Sequence, residues 1–164
     1  MKLHRLLIFI AMFFLFNKEC LSQSDEFKID LIIVVNNELE VGSISNLRLI
    51  VKREGGEEIE IDANYYPGSL SFNTTDYENL FSIKNDSAFI SFNHKSDSKH
   101  KQSLVNYEIP FYKEWIRSAY IIIRVYDLSK GKYKKAFEPL SNSKNYTYEL
   151  DYVGGIMRRE RKKK

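Results

Sequence analysis

The segment ISNLRLIVKREGGEEIEIDA, residues 44–63, restricts the fold more than any other part of the chain. Leu47, Leu49 and Val51 point one way and Arg48 and Lys52 the other, with Ile50 the exception. Beyond Gly55-Gly56, Ile59 and Ile61 alternate with acids. A period of two sends successive side chains to opposite faces of a strand, and a glycine pair between two such runs permits the tight reversal of a hairpin. Such a unit commits this part of the chain to antiparallel pairing.

Similar patterning runs on either side of it. Glu26–Val35 is rich in β-branched residues and closes on the turn pair Asn36-Asn37. Tyr65-Tyr66-Pro67-Gly68 places proline and glycine where a type II turn needs them. Leu70–Asn73, Phe81–Lys84 and Ala88–Asn93 read as short strands, and Leu104–Tyr112 as a strand interrupted at Pro110, hence an edge or a bulge. Arg117–Asp127 (RSAYIIIRVYD) is apolar at nearly every position around Ile121–Ile123, which predicts a strand in the middle of a sheet. Residues 129–132 turn it back into a predicted strand over Tyr133–Pro139, and Tyr146–Tyr152 closes the domain. Helical turns are expected only at Thr75–Leu80, capped by Thr75 or Asp76, and at Lys113–Arg117.

Eight or nine short strands with turn chemistry between them predict an all-β chain. The expected form is a single antiparallel β-sandwich of about eight strands, immunoglobulin-like or transthyretin-like. A barrel would call for corner glycines, and the chain has only seven glycines in all. The disulfide and partnered core tryptophan of antibody domains are absent.

The first residues are laid out as an export signal. Lys2, His4 and Arg5 precede eleven residues, Leu6 to Phe16, without a polar side chain. That is the size of a signal-peptide core and about half of what a membrane-spanning helix needs. Asn17, Lys18 and Glu19 fit poorly before a lipidated Cys20, whereas Cys20 and Ser22 supply small residues for a cut before Gln23. The expected organisation is a signal peptide over 1–22, a sandwich domain over 23–153 and a basic disordered tail over 154–164. The product would be periplasmic or extracellular, without cysteine, and held together by its core alone.

The terminal MRRERKKK carries +5 and the rest of that mature chain −4, so the domain face is slightly acidic and nucleic acid is not an expected partner. The tail residues Arg158, Arg159, Arg161, Lys162, Lys163 and Lys164 instead suit an anionic surface.

No constellation points strongly to catalysis. His94 and His100 both fall in FNHKSDSKHKQS, read as a long polar loop, and no Gly-x-Ser-x-Gly elbow exists. His94, Asp97 and His100 are spaced to suit zinc or copper, but Lys95, Lys99 and Lys101 oppose a cation there. Glu58, Glu60 and Asp62 line a solvated strand face rather than the pocket a glycosidase requires. Aromatic residues are the clearer excess, and Tyr65, Tyr66, Tyr112 and Trp115 are candidates for stacking on a sugar or anchoring a protein interface. The competing role for them is capping the ends of the fold.

These readings favour an exported, non-enzymatic interaction module, without cofactor, acting with a protein partner in the cell envelope. In architecture alone it is similar to the small β-sandwich subunits of bacterial envelope machines such as type VI secretion complexes, although no motif carries the comparison. A carbohydrate-binding module and a small hydrolase or metal-binding enzyme are the alternatives.

Overall fold

The computed structural model describes residues 26–39, 42–81, 87–98, 101–141, 143–159 and 161–162. The export signal, Cys20 and the cleavage site lie outside them.

The described chain is predominantly β, in three sheets. The first contains β1 (Glu26–Ile29), β6 (Asn64–Tyr66) and β7 (Ser69–Asn73) in the order β1-β7-β6. The second contains β2 (Leu31–Val35), β3 (Glu38–Leu39), β10 (Ile121–Asp127), β11 (Tyr146–Tyr152) and β12 (Gly155–Met157) in the order β12-β11-β10-β2-β3. The third contains β4 (Ile44–Lys52), β5 (Glu58–Asp62), β8 (Ser87–Ser98) and β9 (Lys101–Phe111) in the order β5-β4-β8-β9. Two short helices, α1 (Thr74–Phe81) and α2 (Gly131–Ala136), and a 3₁₀ helix over Lys113–Arg117 connect them.

The expected hairpin forms. β4 and β5 pair antiparallel from Lys52↔Glu58 to Arg48↔Asp62, and Gly56 takes φ +82°, a conformation glycine adopts without strain. Leu47, Leu49, Val51 and Ile61 are buried. Asn36 and Asn37 both take positive φ in the two-residue β2–β3 turn, as a type I′ reversal requires.

β10 holds the central place in its sheet, as its unbroken apolar run predicts. Its neighbour β2 runs parallel to it, with Ile121 opposite Leu31 and Val125 opposite Val35, so the pairing is not wholly antiparallel as expected. Two continuous apolar strands suit a parallel pair at the centre of a sheet.

Other expectations are corrected. The strand foreseen over Glu26–Val35 breaks at the exposed Asp30, whose carbonyl accepts the Ile121 N–H at 2.8 Å, and its halves join different sheets. Of the strand foreseen over Tyr133–Pro139, residues 133–136 are instead the end of α2, and Phe137 is its extended C-cap: Tyr133 and Phe137, four apart, both reach Tyr126. Asn73, not Thr75 or Asp76, caps α1, its side-chain oxygen accepting the Thr75 N–H at 3.0 Å. Phe81 ends that helix, and the remainder of the strand foreseen over Phe81–Lys84 lies outside the described residues. The polar run expected to be a loop is mostly strand, with β8 and β9 in unbroken register from Ala88↔Phe111 to Ser98↔Lys101.

One core cluster draws on all three sheets, including Ile29 and Phe72 from the first, Ile33, Ile123 and Leu150 from the second, and Leu49, Ile90 and Ile109 from the third. A second, smaller cluster of Tyr126, Leu128, Tyr133 and Phe137 lies beneath α2.

Candidate functional site

Two regions gather exposed or cleft-lining side chains beyond what the core requires. The first is the end of the five-stranded sheet where β10 begins and β11 finishes. Ile121 pairs with Tyr152, so Tyr120 and Val153, just outside the two strands, both lie at this end of the sheet. Both are exposed, at 43% and 53%, and Tyr112, which lies against Trp115, is 44% exposed. Trp115 anchors this end: it is 1% exposed, and its ring lies 5.3 Å from Tyr112, 5.5 Å from Phe111 and 6.4 Å from Tyr152. The 3₁₀ turn allows this, since Trp115 hydrogen-bonds back to Tyr112 at 3.0 Å and its indole is directed into the core.

The second region is a cleft of about 470 Å³ between β9 and the chain leading into β11. Val105, Asn106 and Glu108 line it from β9, residues 143–146 line it from the other side, and Asp127 and Ser129 contribute as well. The Tyr146 hydroxyl accepts the Glu108 N–H at 2.9 Å and donates to the Glu108 carbonyl at 2.7 Å. Lys144 reaches the same carbonyl at 3.4 Å and lies over the Tyr146 ring. The Glu108 carboxylate pairs with Lys52 at 3.2 Å, and this hydrogen bond is the main reason that the Lys52 pKa is raised. Asp127 is buried, and its Oδ1 accepts the Ser129 N–H at 2.8 Å.

The four aromatic candidates do not form one platform. Tyr66 and Tyr112 are exposed and Trp115 is buried. Tyr65 is half-buried, its hydroxyl accepting the Ile33 N–H at 2.9 Å, and burial pushes its pKa up. Sequence reasoning missed Tyr120 and Val153, because an aromatic residue heading an apolar strand and a valine before Gly-Gly carry no sign of exposure.

The C-terminal segment expected as a loose tail is tied to the fold. Gly155–Met157 forms β12 against β11. Beyond it, Arg158 bonds Asp151 at 3.3 Å, and the Arg159 N–H donates to Glu149 at 3.2 Å. Arg161 bridges to Phe137, and Lys162 pairs with Glu138 at 3.2 Å. The Arg159 and Arg161 guanidinium groups lie over the Tyr148 and Phe137 rings, so each of these four cations has a contact within the chain, and Lys163 and Lys164 lie outside the described residues. Beneath this segment the Tyr126 hydroxyl donates to Glu149 at 3.0 Å. Burial, and then that bond, push the Tyr126 pKa up to about 12.

Of the metal candidates, His94 sits buried on β8 with its ring 6.2 Å from that of Tyr107. His100 and the side chain of Asp97 lie outside the described residues. Among the described residues, no three of His, Cys, Asp and Glu converge to hold a metal ion.

Fold and site thus define a predominantly β protein with an apolar sheet end and a cleft beside an edge strand. Comparison with known protein families, with curated proteins and with solved structures finds no match to this chain.

Proposed function

We propose that the chain is an exported protein-interaction module, a non-enzymatic subunit that docks on a protein partner of the cell envelope. On this reading the three sheets pack as a β-sandwich, which is supported by the single core cluster joining them. The observation that carries the reading is Tyr112, exposed directly against the buried Trp115, together with Tyr120 and Val153, exposed at the end of the neighbouring sheet. Interface centres favour tyrosine and tryptophan because large, rigid rings bury much surface at a small entropic cost. A rigid anchor below the exposed Tyr112 ring keeps it in place before a partner arrives, which lowers the ordering cost of binding.

A sugar platform draws less support. Of its four candidate rings, Trp115 is buried and the Tyr65 hydroxyl is committed to the backbone of β2.

The test is affinity capture from a native envelope extract, with the wild-type chain set beside a Tyr112→Ala/Tyr120→Ala double variant. The expected result is a defined set of proteins retained by the wild type and lost with the variant. Recovery of glycan alone, or of the same proteins with both chains, would sink the reading.

A further inference from the structure

β9 is the edge strand of its sheet, and among the described residues no strand pairs with it on the side away from β8. Both backbone groups of Glu108 bond the Tyr146 hydroxyl, so they point away from β8. In an antiparallel pair this direction repeats every second residue, and the β8–β9 register is unbroken. The N–H and C=O groups of Asn106 and Leu104 therefore point outward with those of Glu108. Pro110 shares that phase, so its missing N–H takes nothing from the ladder with β8.

One half of this edge is closed and the other is open. Pro110 offers no donor, and Tyr146 with Lys144 occupies Glu108. Of the remaining outward groups, those of Asn106 border the cleft between β9 and residues 143–146, and those of Leu104 continue the edge just beyond it. Natural sheets cover, charge or interrupt such an edge, because an exposed one templates another strand. Here the blocking devices stop at Glu108, within the cleft, and Leu104 is left 65% exposed.

We propose that the open half of β9 binds an extended peptide segment of a partner, which lies along the cleft as an added strand. This rests on the interaction-module reading and assigns it a second contact, separate from the aromatic end. The occupant is a single extended chain because the cleft has walls on both sides: β9 supplies the row of backbone groups, and residues 143–146 face it. A second copy of this protein would have to bring a whole sheet into the same space. Main-chain hydrogen bonds supply affinity in this mode, and side chains at alternate positions supply selectivity. Opposite the exposed Leu104, the peptide would carry a β-branched or other apolar residue.

The probe is a synthetic nonapeptide of alternating threonine and valine with a lysine at each end, added to the isotopically labelled protein. Binding is expected to slow hydrogen exchange at the Leu104 and Asn106 amides and to leave Val105, already directed at β8, unchanged. Leu104→Pro removes one outward N–H without touching the ladder, as Pro110 does naturally, and should weaken binding by more than about tenfold. Leu104→Lys, which keeps the N–H and is safer for folding, should bind more tightly than Leu104→Pro. No protection at these amides, or equal binding by Leu104→Pro in a chain with unchanged circular dichroism, overturns the proposal. A concentration-dependent dimer abolished by Leu104→Pro would overturn it in favour of self-pairing. Tyr112→Ala/Tyr120→Ala should still bind the peptide, so loss of envelope capture and loss of peptide binding are separable failures.

Discussion

The hydroxyl of Tyr65 on β6 accepts the backbone N–H of Ile33 on β2 at 2.9 Å. β3 is only two residues long and pairs with Val34 and Val35, leaving the rest of that edge of β2 uncovered. The β6–β7 turn completes it, since the Gly68 N–H donates to the Leu31 carbonyl at 2.9 Å. A tyrosine side chain thus takes the place of a missing strand. Tyr65→Phe should cost about 1–3 kcal/mol, because the N–H of a fully buried residue loses its acceptor. Urea denaturation measures the cost, and the Ile33 amide should exchange faster. Tyr66→Phe, exposed on the same strand, should stay within about 0.5 kcal/mol of wild type.

Tyr146 repeats the arrangement on β9, where one hydroxyl serves both backbone groups of Glu108. Tyr146→Phe should therefore cost about 1–3 kcal/mol and speed exchange at the Glu108 amide. It should also lengthen the open edge by one outward residue. Unchanged exchange at Glu108 would mean that the hydroxyl is not what closes this edge.

Trp115 and its exposed neighbours should separate stability from binding. Trp115→Ala removes a buried indole in contact with Phe111 and Tyr152, and should cost about 3–5 kcal/mol. Tyr112→Ala and Tyr120→Ala should each change stability by less than about 1 kcal/mol, since roughly half of each side chain is already in solvent. Thermal unfolding gives the first comparison and partner capture the second. A large loss of stability from Tyr120→Ala would mean that this ring belongs to the core.

The hairpin over residues 44–63 and the central strand Ile121–Asp127 are legible in the sequence because their patterns are local. Alternation around Gly55-Gly56 and an apolar run each settle their own structure within a few residues. What stayed hidden depends on distant partners. Nothing beside Asp30 says that its carbonyl meets Ile121, and that contact coincides with the switch between sheets. α2 was hidden for a related reason: six residues are too few for a helical period to stand out, and the helix is held by Tyr133 and Phe137 resting on Tyr126. The strands through the polar run around His94 extend by backbone pairing from Ala88↔Phe111 outward, which hydrophobic patterning does not report. Of the candidate rings, Trp115 and Tyr112 sit where the sequence drew attention. Their opposite exposures follow from the direction of the 3₁₀ turn, a property of its packing rather than of its composition.

Tyr126 should make stability fall in alkali. Its hydroxyl is held protonated by burial and by donation to Glu149, with the pKa pushed up to about 12 from an ordinary value of 10.0. A pKa raised on folding means that the protonated form favours the native state. The contribution is therefore fully present below pH ~10 and is lost as pH climbs through ~12. A rise of that extent converts to about 3 kcal/mol, and partial screening by solvent brings the expected size to on the order of 1–2 kcal/mol. Burial raises the pKa of Tyr65, Tyr133 and Tyr148 in the same direction, so the total alkaline loss belongs to the group. Tyr126→Phe isolates the single share: it should be less stable than wild type near neutrality, and the gap should narrow as pH rises through that window. Titration of tyrosinate absorbance should lose one late-ionising group in the variant. A gap that stays constant from neutrality into strong alkali would show that Glu149 does not hold the Tyr126 proton.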